Sequence, residues 1–338
     1  MAESGLAERA LAWARRRRTR LAGYNPWEVA VRVGHEVVED RVTGLAAEMA
    51  FFALLSLVPM LVAFGAALGY ASRVLDPDDL EQLEQLVLTA LNAVFGPRLT
   101  ADLLEPLVSG LLFEGRGGLA LSSLAVALYL GSRVFTATIR ALDQAYDVEE
   151  RRGLVVQRLL ALGYAGVSIV VVPAALVFMV LGPLLGGGAQ LAGRLGLGSV
   201  FAFFWEVVRW PTFVLVVVGF LAFVYRFGPH VSNRWRDCLP GAVLGVALWA
   251  AATVGFRVYL AVGGGTGQLG TMDEAVSDMG RILGSFVATI LWTYLASLAI
   301  LLGGELNAEL AKLRQQPTAE GQPGPRRFPR RRTARRAP

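Results

Sequence analysis

Residues 295–302 read Leu295-Ala296-Ser297-Leu298-Ala299-Ile300-Leu301-Leu302, and the fold is decided there. The stretch carries no charge, and its apolar side chains do not alternate with polar ones. A strand of a membrane barrel would alternate over about ten residues. In lipid, the other element that satisfies its own backbone N–H and C=O groups is the α-helix. Working outward, the apolar run covers 282–304, close to the roughly 20 residues a helix needs to cross a hydrocarbon core about 30 Å thick. Five further stretches have the same character, near 46–70, 119–139, 159–185, 203–225 and 239–262. The chain is therefore expected to be an all-α integral membrane protein, a bundle of six transmembrane helices. The fourth stretch is the least regular. Glu206, Arg209 and Pro211 disturb its start, so 199–208 reads as an interfacial helix, with the true span beginning near Trp210.

Composition agrees. Of 338 residues, 54% are hydrophobic and 17% charged, with mean hydropathy +0.51. A soluble domain of this size is about one-quarter charged. The N-terminus does not read as a cleaved signal, because Arg15 to Arg18 precede any long apolar run.

Arginine and lysine set the orientation. Residues 1–45 carry 8, the 140–158 connection 4, the 226–238 connection 3 and the segment from 305 onward 9, which is 24 on one side against 5 in the other connections. That imbalance puts both termini in the cytoplasm and requires an even number of spans. Three regions follow: a basic cytoplasmic segment at 1–45, a six-span membrane domain at 46–312, and a disordered basic tail at 313–338. The net charge of +5 sits at the membrane-flanking ends. The expected partners are thus membrane lipids, with anionic headgroups at the basic termini. A specific nucleic-acid partner is not expected, because Phe328 is the tail's single aromatic residue for base stacking. A homo-oligomer is left open.

The 71–118 connection is the one long exterior segment. Asp76-Pro77-Asp78-Asp79 is a helix start, with an Asp N-cap, Pro at the first position and acids near the positive helix end. Leu80, Leu83, Leu86, Val87 and Leu91 then repeat at helical spacing, and a second start lies at Thr100. An exterior pair of amphipathic helices is expected, packed on the bundle or capping it.

Charges inside apolar spans are costly unless paired or wet, so they are the first functional candidates. Glu48 and Arg133 lie at similar depth and are expected to pair, and Glu305 ends the sixth span on the same side, followed by Asn307 and Glu309. Together Glu48, Arg133, Glu305 and Asn307 form a candidate intramembrane polar cluster. Its bland reading is charge at the headgroup level; its sharper reading is a wet vestibule. Glu206, Arg209 and Arg257 form a second group near the exterior, read as a local ion pair. Pro59, Pro173, Gly182, Pro183 and Pro240 are candidate helix breaks, since proline removes a backbone donor and broken helices build substrate sites in transporters. Gly241, Gly245 and Ala250 allow close helix contact. Cys238 reads as a small packed residue.

Catalytic signatures are missing. His35 and His230 are far apart in sequence, no Cys/His cluster has metal-ligand spacing, and no GxxxxGK[ST] occurs. No catalytic residue, metal or cofactor is expected. Gly263-Gly264-Gly265-Thr266-Gly267 reads as a flexible loop.

Four segments in order resemble one family. They are Ala46-Ala47-Glu48-Met49-Ala50-Phe51-Phe52-Ala53-Leu54-Leu55-Ser56-Leu57-Val58-Pro59; Arg140-Ala141-Leu142-Asp143-Gln144-Ala145-Tyr146-Asp147-Val148-Glu149-Glu150-Arg151; Tyr225-Arg226-Phe227-Gly228-Pro229-His230-Val231 through Leu239-Pro240-Gly241-Ala242; and Gly303-Gly304-Glu305-Leu306-Asn307-Ala308-Glu309-Leu310. Over about residues 25–312 the chain resembles the BrkB/YihY-like family of bacterial inner-membrane proteins, with Asp143 where that family usually has Asn. The resemblance implies a six-span inner-membrane fold and brings no catalytic residues. Members often carry the label ribonuclease BN, which we read as a misassignment, and some are linked to serum resistance and called virulence factors. Two functions remain in play. The first is transport of a small solute, ion or lipid. The alternative is a non-catalytic scaffold that supports envelope integrity.

Overall fold

The computed structural model describes residues 2–16, 24–71, 85, 88–89, 101, 105–106, 117–149, 152–184, 199–262 and 274–315. Among these residues it forms eight long helices: α1 (Ala2–Arg16), α2 (Pro26–Glu39), α3 (Val42–Ala71), α4 (Gly117–Ala145), α5 (Leu154–Leu184), α6 (Ser199–Phe227), α7 (Trp235–Val262) and α8 (Glu274–Gln315). Six of them, α3 to α8, contain stretches long and apolar enough to cross a membrane: Val42–Met60, Leu121–Ala145, Leu154–Val172, Val207–Phe227, Trp235–Phe256 and Phe286–Arg314. These are the six stretches expected from the sequence. Most of the expected exterior helix pair lies outside the described residues, as does the basic tail beyond Gln315; residues 313–315, expected at the start of a disordered tail, are instead the last turn of α8.

The proline and charge marks do not break the helices. Pro59 is inside α3, Pro211 inside α6 and Pro240 inside α7. Helix α5 likewise runs without interruption past positions 173, 182 and 183. The 199–208 stretch, expected as an interfacial helix, is continuous with the span in α6, whose apolar stretch begins at Val207, close to the expected start near Trp210. The physical reason is common to all: an apolar segment in lipid has no water to take up freed backbone groups, so it stays helical and adjusts around one lost hydrogen bond.

Two apolar clusters hold the bundle together. One joins α4, α5, α6 and α7 through Ile139, Leu142, Tyr164, Leu221, Val224 and Tyr225, among others. The other joins α3, α4 and α8 through Val42, Ala46, Met49, Ala137, Ala141 and Leu301. Many large apolar side chains on the spans remain outward-facing, such as Leu215 and Val170, as expected where lipid is the solvent.

The connections at one end are tied to each other. The Arg152 guanidinium donates to the carbonyls of Phe227, Gly228 and Pro229 at 2.9, 2.9 and 3.4 Å. Asp143, where the family resemblance implies Asn, accepts the His230 backbone N–H at 2.9 Å. A carboxylate serves that role as well as an amide oxygen would. Gln144 reaches back to Asp40 between α2 and α3, and Arg314 at the end of α8 meets Asp237 and Tyr24. We call this the polar end of the bundle. Helix α1 docks on α2 there: Asn25 caps α2 and donates to the Ala14 carbonyl at 2.8 Å, and Trp13 stands edge-on to Trp27.

Candidate functional site at the polar end

Helix α8 carries the site, and its two faces differ. With about 100° per residue, Gly303 and Asn307 project to one side. Glu305, Glu309 and Lys312 project to roughly the opposite side.

The first face meets α7. A Cβ built on Gly303 would run into the Gly241 carbonyl oxygen, and one on Gly241 into the Gly303 carbonyl oxygen and the Asn307 side chain. The two backbones are therefore in direct contact, as small residues permit. Gly245 continues the contact against Leu221 and Tyr225, and the Tyr225 hydroxyl donates to the Ile300 carbonyl. Pro240 removes one donor from α7. Beside it, the Asn307 amide serves the helix backbone directly: its oxygen accepts the Gly241 N–H at 2.7 Å, and its nitrogen donates to the Cys238 carbonyl at 3.0 Å. Cys238 is fully buried here, a packed residue as expected. Of the sequence candidates, Asn307 and Pro240 thus meet in one structural joint.

The second face looks toward α2 and the end of α4. Glu305 is 2% exposed, and its Oε2 has no hydrogen-bond partner among the described residues. Glu309, equally buried, lies 3.2 Å from Lys312 Nζ and 4.0 Å from Arg32. Lys312 is the chain's one lysine. Its ammonium also lies 2.9 Å from Asp147 and 3.7 Å from Glu36. Asp147 is placed by an unusual backbone. It takes a left-handed φ of 51°, its N–H bonds the Gln144 carbonyl and the Val148 N–H bonds the Asp143 carbonyl. This is the helix ending that normally takes glycine. Here the position carries an acid that grips Lys312. Asp40 is 5% exposed; its Oδ1 accepts from Gln144 at 3.1 Å, and its Oδ2 has no partner among the described residues. Burial pushes the proton affinity of the Asp40 carboxyl up, with the Gln144 bond opposing. Burial likewise pushes Glu36 up, opposed by Lys312.

Glu48 and Arg133 sit apart from this face, and their expected pairing is not formed. Glu48 pairs with Arg140. Arg133 instead lies over the Phe52 ring, 4.7 Å from its centroid. Arg133 and Arg140 are seven residues apart, so they share a helix face about 10.5 Å apart along the axis. Of the expected exterior group, Arg209 is buried beside Trp210, and the side chains of Glu206 and Arg257 lie outside the described set. His35 forms a 3.5 Å contact with Glu39. Asp40, Glu36, Asp147 and Lys312 were not candidates from sequence. Lys312 follows Glu305 and Glu309 at helical spacing and Glu36 and Asp40 stand one turn apart at the end of α2, but that the two sets meet is visible only once α2 is folded against α8.

Comparisons with known proteins agree with a membrane family. The sequence profile described as Virulence factor BrkB matches residues 33–328. The chain is similar to YfkH of Bacillus subtilis, a protein named as ribonuclease-like, with 29% identity over 273 residues, 80% of this chain and 91% of YfkH. A UPF0761 membrane protein of Xanthomonas oryzae is 35% identical over 102 residues, covering 29% of this chain and 21% of that protein. Another from Tolumonas auensis is 31% identical over 107 residues, 32% of each chain. No solved structure matches.

Proposed function

The chain belongs to the virulence factor BrkB family, and from that premise we propose that it is a multi-pass carrier of a small solute or ion in the bacterial inner membrane. Both termini and the polar end face the cytoplasm, as the arginine distribution supports. One observation carries the reading. Glu305 lies within the last apolar span, Phe286–Arg314, is 2% exposed, and keeps a carboxylate oxygen without a partner among the described residues. An ionisable group in that position is costly, and its usual reason is a solute or ion pathway.

The reading is non-catalytic. The word ribonuclease in the name of YfkH belongs to that protein. Among the described residues here, no three His, Cys, Asp or Glu side chains converge in a metal-holding arrangement. The alternative, a scaffolding protein of the envelope, draws on the virulence-factor description of the family rather than on a site in this chain. Reconstitution in liposomes separates the two. Flux of small ions and solutes is expected for the wild-type chain and is expected to fall at least about tenfold in Glu305→Gln, since one lost charge contact at a desolvated site exceeds about 1.4 kcal/mol. No flux across a broad panel of ions, amino acids, sugars and lipids would favour the scaffold.

A further inference from the structure

Leu301, Val42 and Ala141 pack together in the cluster that joins α3, α4 and α8. One helical turn beyond Leu301 stands Glu305. Two residues before Val42 stands Asp40, and three residues after Ala141 stands Gln144. The layer above an apolar core is thus made of two buried carboxyl groups and one amide. The amide nitrogen is spent on Asp40, at its carbonyl and its Oδ1. One oxygen of each carboxyl group remains without a partner among the described residues. Asp40 and Glu305 lie within electrostatic reach of each other.

Positive charge is short in this layer. The acids gathered at the junction are Glu36, Asp40, Asp147, Glu305 and Glu309, and the cations are Lys312 and Arg32. Lys312 is already engaged by Asp147, Glu309 and Glu36, and Arg32 by Glu28. On α2, Glu39 adds a further negative charge near Asp40 and lies 3.5 Å from His35, and on α4 Arg133 lies over the Phe52 ring. On α3, Glu48 takes Arg140 of α4. On α4, Asp143 takes the His230 N–H. On α7, Asp237 takes Arg314 of α8.

We propose that the Glu305–Asp40 layer is a binding site for one small cation, taken up from the polar end onto the unpartnered carboxylate oxygens. The chemistry required is a single positive charge, supplied as a proton on a carboxyl group or as an alkali cation beside it. This deepens the carrier reading and rests on it for its purpose: the cation would be the transported ion, or the one whose binding drives movement of the solute. Binding itself stands or falls separately from flux.

The test uses the full chain in detergent micelles and infrared difference spectroscopy of its carboxyl groups. In one arm the buffer steps from mildly acidic to mildly alkaline at constant salt. In the other, choline is exchanged for sodium or potassium at constant pH. Other buried carboxyl groups such as Glu36 and Asp40 contribute to the pH arm in every chain, so the expected result is a carboxyl band, in at least one arm, that the wild type shows and Glu305→Gln lacks. A signal in the pH arm alone identifies the proton, and one in the salt arm identifies the alkali cation. Asp40→Asn keeps Glu305 but removes the neighbouring charge, so about tenfold more ligand should be needed to produce the same signal. Identical wild-type and Glu305→Gln spectra in both arms overturn the proposal. So does an unshifted midpoint in Asp40→Asn, which decides the matter if Glu305→Gln fails to fold. An intact Glu305 signal without flux sinks the carrier reading alone, and flux without a Glu305 signal sinks this site alone.

Discussion

The two faces of the end of α8 sit on one helix, a few residues apart, and obey different rules. On the α7 face every polar group has a fixed partner: glycine backbones touch, and the Asn307 amide binds a backbone donor and a backbone acceptor. On the α2 face two buried carboxyl groups each keep an oxygen without a partner among the described residues. A buried polar group left unsatisfied costs free energy comparable to a lost hydrogen bond. Stability alone explains the first face and works against the second. The contrast assigns the α7 face to holding the bundle together and the α2 face to work on a ligand.

The sharpest way to break that contrast is to add one methyl group. In Gly303→Ala the new Cβ meets the Gly241 carbonyl oxygen, part of a backbone that cannot swing away like a side chain. The helices must part, and overpacking of this kind costs about 3 kcal/mol or more. Thermal unfolding in detergent should show a large loss. Gly255→Ala is the control on α7: nothing lies within 4 Å of a Cβ there, and alanine is the better helix former by about 1 kcal/mol. Equal effects from the two substitutions would mean that the backbone contact does not hold the joint.

A smaller effect is expected from Asn307→Ala. The Gly241 N–H loses its acceptor and the Cys238 carbonyl loses its donor. Both are buried beside Pro240, so water is slow to replace them, and about 2 kcal/mol should be lost. The same unfolding assay checks it. A neutral outcome would mean that α7 re-forms its own hydrogen bonds across Pro240, making the amide dispensable.

The part of this picture that sequence could carry is the part the solvent dictates. Hydrocarbon forces helices, and helix length follows from bilayer thickness, so all six spans were legible. Tertiary depth was not. Glu48 was given the right face of α4 and the wrong turn, because apolar residues mark a face by periodicity but do not say where along the axis two helices meet. Proline is ambiguous in the same way: Pro59 and Pro240 mark candidate breaks, yet unbroken helices pass through both. Glu305 and Asn307 were named together because they are two residues apart. Two residues is half a turn, so they ended on opposite faces with opposite duties. Asp147 was illegible for a different reason. Its grip on Lys312 depends on a left-handed helix ending that sequence signals through glycine, and here no glycine announces it.

The smallest expected effect separates the faces by pH. Glu36 on α2 faces Lys312, Glu309, Asp40 and Asp147, and burial raises its proton affinity in the folded protein above that of an ordinary glutamate, as it does for Asp40. The sign follows from linkage. Between the ordinary carboxylate range and the raised folded value, the folded chain holds more protons than the unfolded chain, so stability falls as pH rises through that window. The contribution is fully present at acidic pH and lost toward neutral pH. Glu36→Gln and Asp40→Asn should each flatten this slope in thermal unfolding measured from mildly acidic to neutral pH. Gly303→Ala should lower every midpoint by a similar amount and leave the slope unchanged, because backbone groups and an amide do not titrate. The change in slope should be smaller than the loss caused by either α7-face substitution, since Glu36 is only partly buried and Lys312 offsets part of its penalty. If all four chains gave parallel curves, the α2 face would hold its charges no differently from open water, and its division of labour with the α7 face would have no physical basis.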